Sequence, residues 1–231
     1  LKCQNKNNRI KKGYDYLQSG VYDSANLIFH NIFDADSNNI DVIKGLFVSN
    51  GALHGYDFAK PFIKSLWVND AYRKTIDTNY YRVLLTNMGQ NAILFINNEK
   101  DFFSSLLMQE KLEVRKDISI ISTSLLNTKW YIHDLKKRLN VPVSYSDRQI
   151  DRLQDEFNPF SESTPVELTK DKITIMLKPK REKEVLSVSD KLLLNIVDAN
   201  NWGKPICFLD KNQQFSSYLK ETNGFFVLSK P

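Results

Sequence analysis

Apolar positions fall at two different spacings along the chain, and the spacing changes near residue 91. Before that point apolar and small residues recur three and four apart, as at Tyr22, Ala25 and Phe29 and again at Tyr56, Ala59 and Ile63. That interval turns one side of a helix toward a core. After it, short apolar runs rich in β-branched and aromatic residues occupy 92–96, 118–121, 173–177, 206–209 and 225–228 and read as strands. Residues 101–113 and 127–139 carry amphipathic helical patterns behind the first two runs. Strands alternating with helical stretches of this kind predict a β-α-β-α unit, because a parallel return requires a crossover element.

The remainder is expected to extend that unit. Val141-Pro142-Val143 reads as a short edge segment, Pro142 being tolerated only at an edge. Ser146 suits the N-cap of a helix over 147–156, and residues 158–170 read as a loop. A helix over 189–200 sets Leu192, Leu193, Ile196 and Val197 on one side, and a short helix near 216–220 precedes Gly224, which suits a left-handed cap.

Residues 10–70 repeat. Tyr22, Ala25, Phe29 and Asp36 recur 34 positions later as Tyr56, Ala59, Ile63 and Asp70. With Gly13, Tyr16 and Gly20, the first copy resembles the tetratricopeptide repeat, which implies paired helices joined by turns at Gly20 and Gly55. Two copies are fewer than the three or so that stand alone, so a helix over 79–88 is expected to complete them and dock them on the α/β unit. The aromatic residues read first as helix-to-helix core. The functional alternative is a protein-binding surface, with Tyr14, Tyr22, His54 and Tyr56 as candidates.

Composition changes this picture little. A chain of 231 residues with 42% hydrophobic and 12% aromatic residues can fill real cores, and no apolar run approaches the roughly 20 residues of a membrane-spanning helix. Thirty-two basic residues are interspersed with 27 acidic ones for a net +5, which points away from nucleic acid. The densest basic stretch, 178–183, contains a proline and reads as a solvated loop. Cys207 sits in an apolar run and reads as a buried thiol. Cys3, after Leu1-Lys2 and before a polar tail, is similar to the start of a bacterial lipoprotein and is a candidate lipid-attachment site, although Lys2 stands where a small residue is usual. Residues 1–9 would then be a tethering tail.

The chain contains no nucleophile elbow, phosphate loop, His-Glu-x-x-His pair or paired-cysteine zinc spacing. Neither a catalytic residue, a metal nor a cofactor is therefore assigned. His133 and Asp134 adjoin on one helix and point in different directions. In an open α/β sheet ligands sit beyond the carboxyl ends of the strands, which here gather Asn97, Asn98, Glu99 and Asp101 with Ser122, Ser124 and Asn127. Such groups can hold a glycan, or they can simply cap helices. Trp130 and Trp202 read as core anchors.

The runs 91–97, 124–132 and 200–208 occur in an order that resembles the soluble domain of a Bacteroidota family of polytopic membrane proteins related to protein O-mannosyltransferases, over 91–231. That family's first strand leads into Gly-Asp-Asn-Asp, where this chain has Asn98-Glu99-Lys100-Asp101, so only Asp101 is carried over. The resemblance implies an envelope setting, facing the periplasm. The expected whole is an α/β protein: a tail at 1–9, tetratricopeptide-like helical hairpins at 10–90, and a Rossmann-like, mostly parallel sheet with helices on both faces at 91–231. Its expected role is non-catalytic binding of a protein partner. A glycan-recognising or catalytic crevice around Asn97, Glu99, Asp101, Ser124 and Asn127 is the alternative.

Overall fold

A computed structural model describes residues 2–154, 156–157, 164–168, 173–177, 185–201, 203–210 and 224–228. Contacts divide the chain into two compact units, 1–84 with 103–114, and 85–102 with 115–231. The division does not fall at a single point near residue 90, because the chain enters the first unit twice.

The first unit is helical. α1 (Lys2–Gln18), α2 (Tyr22–Phe33), α3 (Ile40–His54) and α4 (Tyr56–Val68) follow one another through short turns, and α5 (Asp70–Arg73) and α6 (Thr78–Thr86) come next. α1 starts at Lys2, so helix covers the stretch expected as a tail. It stops at Gly20, whose φ of 73° is left-handed. The Gly20 N–H reaches Leu17 O at 3.1 Å and the Val21 N–H reaches Tyr16 O at 2.9 Å, the two bonds that close a Schellman end. Gly55, at φ 90°, makes the corresponding break between α3 and α4. Asn39 opens α3, its side chain accepting the Val42 N–H at 3.1 Å.

Two of the four residue pairs spaced by 34 match in burial. Ala25 and Ala59, and Phe29 and Ile63, are all fully buried. Phe29 is the centre of the first hairpin: its ring meets Tyr14 edge-on at 5.3 Å and lies against Gly13 of α1 and Gly45 of α3. A Cβ on either glycine would come within 2.7 Å or 2.5 Å of the ring, so the ring fills a slot that only glycine leaves open.

The first unit takes in most of α6, the helix expected over 79–88, and in addition the later part of α7 (Glu99–Leu112), which the sequence reading did not place there. Phe103 packs edge-on against Phe47 at 5.3 Å, Glu110 accepts the Tyr56 hydroxyl at 2.9 Å and pairs with Lys60 at 2.7 Å, and the hydroxyls of Tyr72 and Ser104 lie 3.4 Å apart. The sequence suggests an amphipathic helix here, but Ser104, Ser105 and Gln109 are buried along with their apolar neighbours. A helix covered on every side loses the two-sided burial its polar residues suggest.

The second unit is built on a sheet of order β2-β1-β7-β8, where β1 is Ile93–Ile96, β2 is Ser119–Ser122, β7 is Ile206–Asp210 and β8 is Gly224–Leu228. β1 pairs in parallel with β2 and β7, and β8 pairs antiparallel to β7. Every residue of β1 and β2 is buried, as parallel strands covered on both faces require. Phe95 and Phe208 stack across the β1-β7 pair at 5.1 Å. Cys207, on β7, is buried, and burial pushes its thiol up to about 11.

α8 (Lys129–Arg138), α9 (Asp147–Arg152) and α10 (Val188–Asn200) follow β2 in the same unit. Leu192, Leu193, Ile196 and Val197 are buried as expected. Ser146 caps α9 in a full capping box with Gln149, and Ser187 caps α10 in another with Asp190. Three sequence expectations are corrected. Residues 141–143 form no strand, and Val141 is instead tied by its N–H to Leu135 O at 3.1 Å. The third expected strand, β5 (Ile173–Leu177), joins no parallel sheet but pairs antiparallel with β4 (Thr164–Leu168), inside the stretch read as a loop. Thr164, Val166 and Leu168 alternate with polar or cyclic residues, and a two-stranded ribbon has open edges where Pro165 is tolerated. Gly224 opens β8. A second small ribbon pairs β3 (Glu156–Phe157) with β6 (Val185–Leu186). The basic stretch 178–183, the helix expected near 216–220 and Trp202 lie outside the described residues. The architecture is thus mixed helix and sheet, with three parallel strands in the sheet of the second unit.

Candidate functional site

The connection from β1 leads to β2 on one side, and β7 lies on the other, so the carboxyl ends of these strands mark the switch point of the sheet. The residues expected there do converge, but they are spent on one another. Asn97 Oδ1 accepts the Thr123 hydroxyl at 3.0 Å, and the Thr123 N–H donates to Ile96 O at 3.0 Å, which ties the two strand ends together. Asn98 caps α7, its Oδ1 accepting the Asp101 N–H at 3.2 Å. Asp101 is buried, 1% exposed, in the first turn of α7 where the helix dipole favours a carboxylate. Glu99, in the same turn, is exposed.

Where β2 ends, the hydroxyls of Ser122 and of Ser124, two residues on, are 2.9 Å apart, and the Ser122 N–H donates to the buried Tyr131 hydroxyl at 3.0 Å. Burial raises the Tyr131 pKa, so that hydroxyl stays a neutral link between α8 and β2. Asn127 is exposed but engaged: its Oδ1 accepts the Ser189 N–H at 3.0 Å in the first turn of α10, and its Nδ2 lies 3.4 Å from Ser124 O. Of the five crevice candidates, Asn97 and Asn127 brace neighbouring elements, Asp101 is buried, and Glu99, Ser124 and Asn127 lie at the surface. This is the arrangement of capped helix starts around a sheet end, and it brings no nucleophile and base into line.

The surface candidates of the helical unit divide in the same way. Tyr56 is 6% exposed and is core, with its ring edge-on to Phe47 and its hydroxyl on Glu110. This corrects its assignment as a contact residue: although Tyr22, 34 positions earlier, is only half-buried, Tyr56 at the start of α4 is buried. Tyr14 is partly covered and donates to Asp41 O at 2.8 Å. Burial raises the Tyr22 pKa, while His54 is exposed beside Phe58 at 5.3 Å between rings. Among the large apolar side chains that reach the surface, the three most exposed were not singled out from the sequence: Leu27 at 65%, Phe58 at 60% and Val68 at 73%.

Two ionic clusters were likewise not legible. His133 Nε2 lies 3.0 Å from Asp151 and Nδ1 lies 3.6 Å from Asp147, while Lys136 reaches Asp147 at 2.9 Å and Tyr145 O at 2.8 Å. The histidine finds its carboxylates on α9, not at its sequence neighbour Asp134, which pairs with Arg138 at 2.8 Å. Asp147 and Asp151 are largely exposed, so these bonds orient α9 on α8 more than they stabilise it.

Arg115 forms the second cluster. Its guanidinium donates to Leu85 O at 3.0 Å, Met88 O at 2.9 Å and Gly89 O at 2.8 Å, and grips Asp117 at 2.8 and 2.9 Å. Asp117 also accepts the Asn91 N–H at 2.8 Å. The Arg115 side chain holds the Asp117 carboxyl at about 2, below the carboxylate range, with the Asn91 N–H adding to the shift. A depressed folded-state value means stability present above the unfolded pKa and lost as pH falls through the folded one. Between about pH 4 and pH 2 this pair is therefore expected to give up about 1 kcal/mol, discounted for its partial exposure. Acid titration of the unfolding midpoint checks this: Asp117→Asn should flatten the curve in that window, and an unchanged slope would remove the pair from the account.

Among the described residues, no helix is long and apolar enough to cross a membrane, and no group of three or more His, Cys, Asp or Glu is gathered as metal ligands. The family model described as TMEM260-associated domain 2 matches residues 78–164, and that family is tied to a membrane protein related to O-mannosyltransferase. No curated protein and no solved structure matches the chain. The match starts at the first residue of α6 and ends within β4, so it takes in two of the three runs that carried the sequence resemblance, 91–97 and 124–132, and leaves out 200–208.

Proposed function

We propose that this chain is a non-catalytic binding protein of the cell envelope, acting on a protein partner through its helical unit, in an assembly concerned with glycosylation. The observation that supports this most directly is the contrast between the two candidate surfaces. At the strand ends Asn97, Asn98 and Asn127 are consumed in caps and cross-links, whereas the helical unit leaves Leu27, Phe58 and Val68 in water. Large exposed apolar side chains are the groups an interface buries first. The 34-residue spacing, read as tetratricopeptide-like, suits such a role, since helical repeats use their surfaces for protein contacts. The envelope setting, a periplasmic location and a lipid at Cys3 rest on the sequence resemblance over 91–231 and on the residues around Cys3.

The test is affinity capture from native envelopes, followed by reconstitution with the purified captured protein. Leu27→Glu with Phe58→Glu is expected to abolish binding while Asn97→Ala with Asn127→Ala retains it. The opposite pattern, or retention of a soluble glycan that is lost only in the Asn97 and Asn127 variants, would transfer the function to the strand-end crevice.

A further inference from the structure

We propose that the outer side of α2 and α4 receives an amphipathic helix of another protein, one that carries lysine or arginine at both ends of its apolar stripe. This deepens the partner reading above and rests on it. Two observations single the surface out. The first is apolar: Leu27 on α2 and Phe58 on α4 are 65% and 60% exposed. The rings of His30 and Phe33 meet Phe62 at 6.1 and 6.0 Å, which joins the two helices along this side. Leu27 lies about one turn before His30, and Phe58 about one turn before Phe62, so both exposed groups border that contact.

The second is charge. Residues 13–59 contain six aspartates and a single basic residue, Lys44, in a chain with 32 basic residues. Lys44 lies over the ring of Phe103, 5.7 Å from its centre, and Asp36 is paired with Lys6. Asp23, Asp34 and Asp57 are exposed and form no ion pair among the described residues.

Helix geometry keeps the nearest cations off this side. Phe29 turns to Gly13 and Tyr14 of α1, and Leu27, two positions earlier, points about 200° away from it. The basic residues of α1 therefore lie across α2 from Leu27. Asp23 and Asp34, four before and seven after Leu27, share its side. On α4, Lys60 is paired with Glu110, and Lys64, two positions past Phe62, points about 200° away from that ring.

The occupant follows from this pattern. Unpaired carboxylates repel nucleic acid and anionic lipid, and the apolar groups between them select against a purely polar cation. Asp23 and Asp34 are 11 positions apart on one helix, a rise of about 16 Å. A helix laid along α2 matches them with basic residues at the same separation and apolar residues between. A second copy offers no such helix among the described residues, because α1 packs Ile10, Tyr14 and Leu17 into its own core and α8 buries Tyr131, Ile132 and Leu135.

The experiment is selection of displayed random peptides of about 16 residues on the whole chain, long enough for that separation. Synthetic copies of the enriched peptides are then titrated by fluorescence anisotropy. The enriched peptides are expected to carry Lys or Arg on both sides of Leu or Phe. Asp23→Asn, Asp34→Asn and Asp57→Asn together should weaken them about 10-fold at about 50 mM salt and within about twofold at about 500 mM. Leu27→Ala with Phe58→Ala should cost on the order of 30-fold at either salt. The charge-matched control Asp15→Asn, Asp41→Asn and Asp77→Asn, all at exposed positions, should stay within about twofold. Circular dichroism confirms that each variant is folded. No enrichment beyond that on the Leu27→Ala, Phe58→Ala chain, enriched peptides that are neutral or acidic, or equal loss in the control would overturn the proposal. A dimer of this chain that Leu27→Ala dissolves would overturn it too, by giving the surface to a second copy. A captured envelope protein that needs Leu27 and Phe58 but ignores salt and the three aspartates would end this proposal and leave the partner reading standing. One that ignores Leu27 and Phe58 would end the partner reading itself.

Discussion

Replacing Phe29 with alanine is expected to lower the stability of the helical unit by about 3–5 kcal/mol, the largest effect of any single substitution considered for this protein. The ring is fully buried and lies against α1 and α3 at their glycines, so its removal leaves a cavity between three helices that cannot close without moving their axes. The same geometry predicts the response to the reverse change. Gly45→Ala raises helix propensity by up to about 1 kcal/mol in isolation. Here it sets a methyl group 2.5 Å from a ring carbon, and the ring cannot retreat because Gly13 closes the far side. Overpacking should win, for a net loss of about 1–3 kcal/mol. Shrinking the ring should relieve it, so Phe29→Leu combined with Gly45→Ala should be more stable than the sum of the two changes allows. Urea unfolding followed by circular dichroism measures all three variants. Strict additivity, or a stabilising Gly45→Ala, would mean that the slot does not exist.

Arg115→Ala is expected to cost about 2–3 kcal/mol, even after allowing for the partial exposure of the pair with Asp117. The loss comes from several acceptors at once: the carbonyls of Leu85, Met88 and Gly89 at the end of α6, and the carboxylate that also holds the Asn91 N–H ahead of β1. Lysine offers a point charge where this site needs a planar fork, so Arg115→Lys should recover less than half of the loss. Arg115 also has a φ of 45°, a left-handed conformation that glycine adopts freely. Arg115→Gly should accordingly be less damaging than Arg115→Ala by up to about 1 kcal/mol. Thermal unfolding distinguishes these outcomes, and full recovery with lysine would show that charge alone, not the fork, holds the end of α6.

The elements of this fold were legible where periodicity is local. β1, β2, β7 and β8, helices α8 and α10, the cap at Ser146 and the glycine turns at 20 and 55 all follow from short-range spacing and from residue types suited to each position. What was not legible depends on partners distant in sequence. Ser104, Ser105 and Gln109 gave α7 an amphipathic appearance that tertiary burial overrides, and Val141 and Val143 read as strand although the sheet adds β7 beside β1 instead. Thr164 to Leu168 alternates correctly but is short and proline-containing, so turn residues on either side outweighed it. At the strand ends the residue types were read correctly as either ligand groups or caps, and only coordinates could show that Asn127 reaches Ser189, 62 positions away. His133 illustrates the same limit, since its carboxylates come from a helix that a one-residue neighbour search does not reach.

The double entry of the chain into the helical unit bears on how the protein can be divided. A fragment ending at residue 90 would retain α1 to α6 yet lack 103–114, uncovering the face of Phe47 that Phe103 occupies and stranding the Tyr56 hydroxyl and the Lys60 ammonium without Glu110. Such a piece would be sticky rather than autonomous. Gene fusions, split reporters and recombination that join at this point would sever a fold whose last wall is delivered only after the first strand of its neighbour has been synthesised.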